Sequence, residues 1–184
     1  MDICNEKGIL LIVDEVQTGI GRTGTRYAFE QPVLKPHLVS LAKGLGGGFP
    51  IGGLLGVAEI YDTFSAGSHG TTFGGNPLGV AVAQTVLDHV FDESFLAQVK
   101  ERGAYLQQKL ADALTGDKFS ILGQGLMVGI YLGGEDVSPY VAKLEEAGVL
   151  MVQAGPHVLR VLPPLNVTNE EIDEAVAIIA SVLQ

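Results

Sequence analysis

The sequence contains one cysteine and few basic residues. Its 184 residues include 11 lysines and arginines against 21 aspartates and glutamates, a formal net charge of −10. Nucleic acids and anionic membranes bind basic surfaces, so we predict neither as a partner. Cys4 has no second cysteine to pair with, which excludes an internal disulfide and makes a cytoplasmic location the expectation.

Long apolar runs are also lacking. No stretch approaches the roughly 20 residues of a membrane span, and the first residues do not show the pattern of a signal peptide. No metal site is predicted from the sequence either. What is present is core material, because 47% of the residues are hydrophobic. That is enough for one domain, or for one domain with a small lobe.

Two charged residues stand directly after apolar runs. Residues 9–13 are continuously apolar, the pattern of a parallel strand covered on both faces, and they end at Asp14. Residues 37–42 end at Lys43, before the glycine-rich run 44–48. The 29 positions between the two (43 − 14) accommodate a parallel βαβ crossover. We therefore predict that both groups lie at one carboxyl edge, where open α/β sheets bind ligands.

An amine and a carboxylate at one edge allow two interpretations. A lysine that forms an imine and an acid that keeps a ring nitrogen protonated are the groups that pyridoxal phosphate chemistry requires. A structural ion pair at the sheet edge is the alternative, and these two residues alone leave it open. Residues 44–53 are not a P-loop, because no Gly-Lys-Ser or Gly-Lys-Thr follows. His69 is interpreted as structural, since no nucleophile is spaced to pair with it.

The patterning predicts three segments. Residues 1–76 form a glycine-rich α/β unit, residues 77–118 are bridging helices, and residues 119–184 form a small α+β domain. The predicted strands are 9–13, 38–41, 54–57, 125–132, 149–152 and 158–162. The predicted helix-end signals are Gly8, Asn76-Pro77, Ser138-Pro139, Gly148 and the capping box Thr168/Glu171.

Four ordered motifs carry a family resemblance. They are IVDEVQTGIGRTG (12–24), LAKGLGGGFPIGG (41–53), HGTTFGGNP (69–77) and VLRVLPPL (158–165). Together they resemble class III aminotransferases of pyridoxal phosphate fold type I, most closely the acetylornithine aminotransferase group. The resemblance covers the whole chain but only the C-terminal half of such an enzyme. It implies part of the three-layer α/β/α large domain and a small C-terminal α+β domain.

The resemblance implies a role for each matching residue. Lys43 matches the lysine that bonds covalently to the cofactor and then moves the proton, and Asp14 matches the partner of the pyridine nitrogen. Val16 matches the apolar residue against the ring face, and Gln17 the amide that bonds the ring's phenolic oxygen. Read alone, Val16 is equally a core valine and Gln17 a surface glutamine.

Two further matches lie later in the chain. Thr72 matches a hydroxyl that reaches the cofactor phosphate of the neighbouring subunit, which implies a homodimer. Its alternative is a loop threonine bonded to local backbone. Arg160 matches the arginine that binds the substrate α-carboxylate, for which a planar bidentate fork is suited. Read alone, an arginine in a strand of leucines and valines needs an anionic partner, either a substrate or a structural carboxylate.

The family pattern is also incomplete in this chain. The glycine and hydroxyl turn that binds most of the phosphate, the aromatic ring over the pyridine and a second substrate arginine precede the matched region in the family. We therefore expect weak cofactor binding by this chain alone, and association with a missing N-terminal half. The implied activity moves the amino group of N2-acetylornithine, or a related ω-amino substrate, to 2-oxoglutarate. The alternative is a non-catalytic remnant or an assembly subunit of a split enzyme.

Overall fold

A computed structural model describes residues 2–184 and divides the chain into two compact units. The first ends at Leu96 and the second begins at Ala97. The predicted bridging segment 77–118 is thereby shared between them. Its first helix, α3 (Pro77–Val90), belongs to the first unit, and most of α4 (Glu93–Ala113) belongs to the second. None of the helices within residues 2–184 is long and apolar enough to cross a membrane.

The first unit contains a three-stranded sheet. Its strands are β1 (Ile12–Asp14), β2 (Leu38–Leu41) and β3 (Gly53–Gly56), in the order β1-β2-β3. Strands β1 and β2 are parallel, as predicted, and β3 runs antiparallel to β2. The short helices α1 (Asp2–Lys7) and α2 (Ala58–Tyr61) flank the sheet in sequence.

The connection between the two parallel strands differs from the predicted βαβ unit. In the described chain it contains only a single turn of 3₁₀ helix, Ala28–Glu30, although its length accommodates the α-helix of a βαβ crossover. Gly21 and Gly24 adopt φ of 80° and 85°, a left-handed conformation that interrupts a right-handed helix. The crossover is therefore an ordered loop.

The apolar run before Asp14 is less covered than its pattern indicates. Only Ile12 and Val13 of this run lie in a strand, β1 is an edge of the sheet, and Ile12 is 60% exposed. Exposed large hydrophobic side chains are concentrated in this unit. They include Ile9, Leu10, Ile12, Leu54, Leu55, Tyr61, Phe64, Phe73, Leu78 and Val80. Soluble monomers rarely expose large apolar patches, and those that do occur often mark interaction sites.

This surface predicts self-association of the isolated chain. An edge strand presents unpaired backbone groups, and apolar neighbours add a hydrophobic driving force. In sedimentation velocity we expect oligomers or aggregates, and we expect the variant Ile12→Lys to shift the distribution toward monomer. Gln108→Lys, which adds the same charge to an exposed position of the second unit, is the matched control. A monodisperse monomer of the unmodified chain would contradict the prediction.

The second unit contains a four-stranded antiparallel sheet. The strands are β4 (Phe119–Gln124), β5 (Met127–Leu132), β6 (Val152–Gln153) and β7 (Val158–Val161), in the order β4-β5-β7-β6. Strand β5 corresponds to the predicted strand 125–132, but β4 was not predicted. Three consecutive residues of β4, Leu122, Gly123 and Gln124, are exposed. The strand therefore lacks the regular alternation of buried and exposed side chains from which a strand is predicted.

Helices cover this sheet and complete its core. They are α4, α5 (Ser138–Glu146) and α6 (Asn169–Leu183). Among the described residues, the largest fully buried apolar side chains all lie in this unit. They are Val99, Leu106, Leu110, Leu126, Val128, Ile130, Leu132, Leu144, Leu159, Ile172 and Ile179. The second unit therefore has a closed hydrophobic core of its own.

Two of the predicted helix starts are confirmed by their hydrogen bonds. The Asn76 side chain accepts from Gly79 N at 2.8 Å, with Pro77 as the first helical residue of α3. Thr168 and Glu171 form the reciprocal capping box of α6, at 3.2 and 2.8 Å. Such caps are each worth about 1 kcal/mol.

The start of α5 differs from its prediction. Ser138 is the first helical residue and Val137 the cap position. The capping acceptor is Asp136, whose Oδ1 accepts from the Ser138 amide at 3.0 Å and from the Ser138 hydroxyl at 2.8 Å. The carboxylate two residues before Ser138 therefore has the capping role that the sequence assigned to the serine.

Candidate active site

Asp14 ends β1 with its carboxylate held by two donors. Its Oδ1 accepts from the Val16 amide at 2.9 Å and from the Ser40 hydroxyl at 3.0 Å. These bonds lower the pKa of Asp14, the Val16 amide most and the Ser40 hydroxyl next. Partial desolvation opposes them, and the charge of Lys43 lowers the pKa further. Asp14 is therefore a fixed anion at neutral pH.

Lys43 lies just beyond the end of β2 and opens a turn of 3₁₀ helix, Lys43–Gly46. Its φ is +44°, a left-handed conformation that costs a non-glycine residue about 1–2 kcal/mol. Strain of this kind persists only where the surroundings impose it, and it is concentrated at functional sites. The side chain is exposed, so the amine is accessible.

The sheet brings Asp14 and Lys43 to the same edge. The parallel register pairs Asp14 with Ser40, three residues before Lys43, and the two charges are close enough to interact. They do not form a direct ion pair. Ion pairs that the described residues do form include Lys109 with Asp173 and Lys118 with Glu135. The arrangement favours a site over the alternative of a structural ion pair.

The crossover loop packs against the backbone that follows Lys43. Ile20 is 3% exposed and adopts φ of +52°, which is unusual for a β-branched residue. A Cβ added to Gly44 would lie 3.3 Å from the Ile20 Cβ. Glycine at position 44 thus allows the loop to approach the lysine turn closely.

The glycines after Lys43 serve packing. A Cβ at Gly46 would lie 2.8 Å from Ile51 Cγ2, and one at Gly47 would lie 2.9 Å from Val86 Cγ2 on α3. Leu45 is buried beside them. This turn is therefore packed under α3.

Val16 and Gln17 lie in the turn that directly follows Asp14, and both are half-buried. The turn is closed by a bond from Gly19 N to the Glu15 carbonyl, at 3.0 Å. Both residues therefore share the sheet edge with Asp14. The roles that the resemblance assigns to their side chains remain predictions.

Thr72 lies in an exposed segment between α2 and α3. Residues 61–75 are all exposed, and Phe73 is 81% exposed. In this segment the Thr71 hydroxyl accepts from Gly74 N at 3.1 Å. His69 contacts its neighbours, with its Nδ1 3.3 Å from the Ser68 hydroxyl and its ring centroid 5.1 Å from that of Phe64.

Arg160 lies on β7, in the second unit. It stands opposite Gly129 of β5 and Val152 of β6 in the sheet register. The flanking residues Leu159 and Val161 are buried, so the half-buried Arg160 side chain extends from the other face of the sheet. A single arginine in this apolar strand suits recognition of a planar anion.

Two residues of the site were missed by sequence reasoning. Ser40 bonds Asp14, and only the strand register places it there. Glu15 is 1% exposed, and its carboxylate accepts from the Thr18 hydroxyl and from Phe29 N. The sequence did contain one signal for Glu15, its position next to Asp14 at the end of a strand. Because successive side chains of a strand point to opposite faces, an exposed Asp14 implies that Glu15 faces the other way.

Known proteins match this chain over almost its whole length. The family described as Aminotransferase class-III matches residues 1–183. The chain is 49% identical to the acetylornithine aminotransferase of Bacillus cereus, over 98% of this chain and 47% of that protein. It therefore spans about half the length of the relatives that it matches.

Solved structures show the same fold. The N-acetylornithine aminotransferase of Stenotrophomonas maltophilia superposes with a TM-score of 0.89 at 35% identity, over 99% of this chain and 49% of that one. The ornithine aminotransferase of Toxoplasma gondii gives a TM-score of 0.90 at 36% identity, over 99% and 44%. The latter has partial occupancy of PLP at its active site. The chain thus shares the fold of the C-terminal half of these proteins.

Proposed function

Because the chain belongs to the class III aminotransferases, a family dependent on pyridoxal phosphate, we propose that it takes part in amino transfer from N2-acetylornithine to 2-oxoglutarate. The acetylornithine aminotransferases among its relatives support that donor, in arginine biosynthesis. A related ω-amino substrate is the wider form of the proposal. The proposed location is the cytoplasm, in keeping with a chain that has one cysteine.

One observation carries the proposal. Asp14 is held as an anion by the Val16 amide and the Ser40 hydroxyl, at the sheet edge where the Lys43 amine is exposed. A fixed carboxylate suits a protonated pyridine nitrogen, and an accessible amine suits covalent attachment. The residues of this edge therefore fit pyridoxal phosphate.

The cofactor, when bound, supplies a carbonyl carbon that takes up amines and a ring that accepts electrons. Lys43 is proposed to hold the cofactor through its Nζ and, once released, to take a proton from the substrate Cα. Asp14 keeps the ring nitrogen protonated, because its own negative charge favours the charged form of that nitrogen. Val16 would pack against the ring, and the Gln17 amide would donate to the ring oxygen.

Two more residues complete the proposal. Arg160 binds the α-carboxylate of the amino acid or of 2-oxoglutarate through a bidentate pair of hydrogen bonds. Thr72 serves the cofactor phosphate of a second copy in a homodimer, and its position in a fully exposed segment supports a contact outside its own chain. The first unit acts as the cofactor-binding part, and the region from residue 119 onward as the small domain.

The proposed activity requires the rest of the fold. The chain spans about half of its relatives, and its first unit exposes apolar side chains around an edge strand. We infer that another polypeptide segment covers this surface before amino transfer occurs. A non-catalytic remnant, or an assembly subunit of a split enzyme, is the second candidate. The same exposed surface supports that candidate, because it would serve assembly alone.

Cofactor attachment tests the proposal directly. The purified chain is mixed with pyridoxal phosphate, reduced with borohydride and digested, and the modified lysine is located by mass mapping. Because the chain alone is expected to bind the cofactor weakly, pyridoxal phosphate is supplied in excess, and the expected result is that Lys43 is labelled in preference to Lys35, which is also exposed in the first unit and serves as the internal control. Labels spread over surface lysines, or none, would favour the non-catalytic candidate. Glutamate formation from 2-oxoglutarate with acetylornithine, ornithine and 4-aminobutyrate then ranks the donors.

A further inference from the structure

Glu15 is a buried carboxylate that the proposed chemistry does not use. It is 1% exposed, on the opposite side of the chain from the exposed Asp14. Its Oε1 accepts from Phe29 N at 2.8 Å, and its Oε2 accepts from the Thr18 hydroxyl. A buried carboxylate is retained only when its oxygens are satisfied, and here both are.

These bonds join two ends of the crossover loop. Thr18 lies in the turn after β1, whereas Phe29 lies in the 3₁₀ turn eleven positions later (29 − 18). The backbone of Glu15 is fixed as well. Its N–H donates to the Ser40 carbonyl and its carbonyl accepts from Gly19 N, each at 3.0 Å. Glu15 thus anchors the loop to β2 and closes it.

The anchored loop touches both halves of the candidate site. Val16, inside the turn that Glu15 closes, donates its N–H to Asp14 at 2.9 Å. Ile20, at the far side of the turn, lies against Gly44, next to Lys43. A displacement of the loop therefore reaches the donor on Asp14 and the backbone beside Lys43 together.

We propose that Glu15 is a positioning residue, whose carboxylate holds the crossover loop so that the Val16 amide stays on Asp14 and Ile20 stays on the lysine turn. Its relevance to catalysis rests on the proposed function of Asp14 and Lys43. The positioning itself is a property of this chain and is measurable without cofactor.

The test is the titration of the Asp14 carboxyl, followed by carbon NMR in the full chain. The Val16 amide is the largest cause of the lowered Asp14 pKa. In Glu15→Ala the loosened amide is expected to raise the pKa of Asp14 toward its ordinary 3.8. Loss of the nearby negative charge alone would act in the opposite direction, so the sign of the shift is decisive.

Matched variants separate positioning from folding and from charge. Glu15→Gln keeps an acceptor for Phe29 N and is expected to show no rise. Thr18→Val removes one bond without changing charge and is expected to raise the pKa by less than Glu15→Ala does. Glu30→Gln removes a charge from the same loop at an exposed position and keeps an oxygen that can accept from Tyr27 N, so it serves as the charge control. Ser40→Ala is the positive control, since it deletes a known donor to Asp14.

An unchanged or lowered Asp14 pKa in Glu15→Ala would overturn the proposal. If Glu15→Ala does not fold, an unchanged or lowered pKa in Thr18→Val has the same meaning. Borohydride labelling of Lys43 in the unmodified chain reports on the proposed function separately. Failure of that labelling with a positive titration result would leave the positioning role standing without the cofactor role.

Discussion

Replacing Lys43 with alanine is expected to abolish the borohydride-stable label and to lower amino transfer by a factor on the order of 10²–10⁴. The reason is that one side chain is proposed both to bond the cofactor and to move the proton at the substrate Cα. The measurement is labelling of the chain, together with glutamate formation in whichever assembly turns over. A variant that keeps a specific label at another lysine, or that keeps its rate, would contradict the assignment.

Lys43→Arg is the sharper variant. It keeps a positive charge beside Asp14, and so retains that contribution to the lowered Asp14 pKa, but a guanidinium does not form the covalent bond. Both variants are therefore expected to lose the label, while only alanine is expected to raise the pKa of Asp14. Lys35→Ala, at an exposed position in the same unit, is the control and should leave both unchanged.

Gly103→Ala is expected to destabilise the second unit by about 2 kcal/mol, although alanine favours a helix over glycine by about 1 kcal/mol. Gly103 lies within α4, and an added Cβ would lie 2.4 Å from the Gly125 carbonyl oxygen and 2.7 Å from the Gly125 Cα. Both atoms belong to backbone, so they do not rotate away as a side chain does. The helix must therefore move away from the β4–β5 turn.

Native-state hydrogen exchange at the β5 amides measures this change, since it reports the opening free energy of the second unit alone. The control is Ala104→Gly, the reverse substitution at the adjacent exposed helical position. It is expected to cost about 1 kcal/mol through helix propensity. A Gly103→Ala chain that is more stable than the original would contradict the prediction, because it would show that the β4–β5 turn moves away from the added Cβ at little cost.

The two units differ in how complete their cores are, and this difference bears on function. The second unit buries its large apolar side chains fully, whereas the first leaves many of its own exposed around β1 and β3. The candidate cofactor residues lie in the unit whose apolar surface is incomplete. Cofactor binding and the covering of that surface are therefore expected to be coupled, because each favours the ordered form of the same sheet edge.

Local patterns were sufficient for much of the fold. The strand at 38–41 and the starts of α3 and α6 follow from periodicity and capping residues. The parallel pairing of β1 and β2 followed from the spacing of their apolar runs. These features depend on neighbours within a few residues, or on the one connection that joins two strands.

Other features depended on contacts between distant segments. Strand β4 has a weak pattern of its own and is defined by its pairing with β5. The spacing of β1 and β2 allowed a helix in the crossover, whereas its loop form is stabilised by long-range bonds such as that from Phe29 N to Glu15 Oε1.

The candidate site divides in the same way. Motifs in the sequence named Asp14, Val16, Gln17, Lys43, Thr72 and Arg160, since side-chain chemistry and chain order survive without coordinates. The tertiary structure alone supplied Ser40 as a donor to Asp14, Glu15 as a buried anchor and Ile20 as the residue packed beside Lys43. Strand register and burial are set by segments far apart in the chain, so no local pattern encodes them.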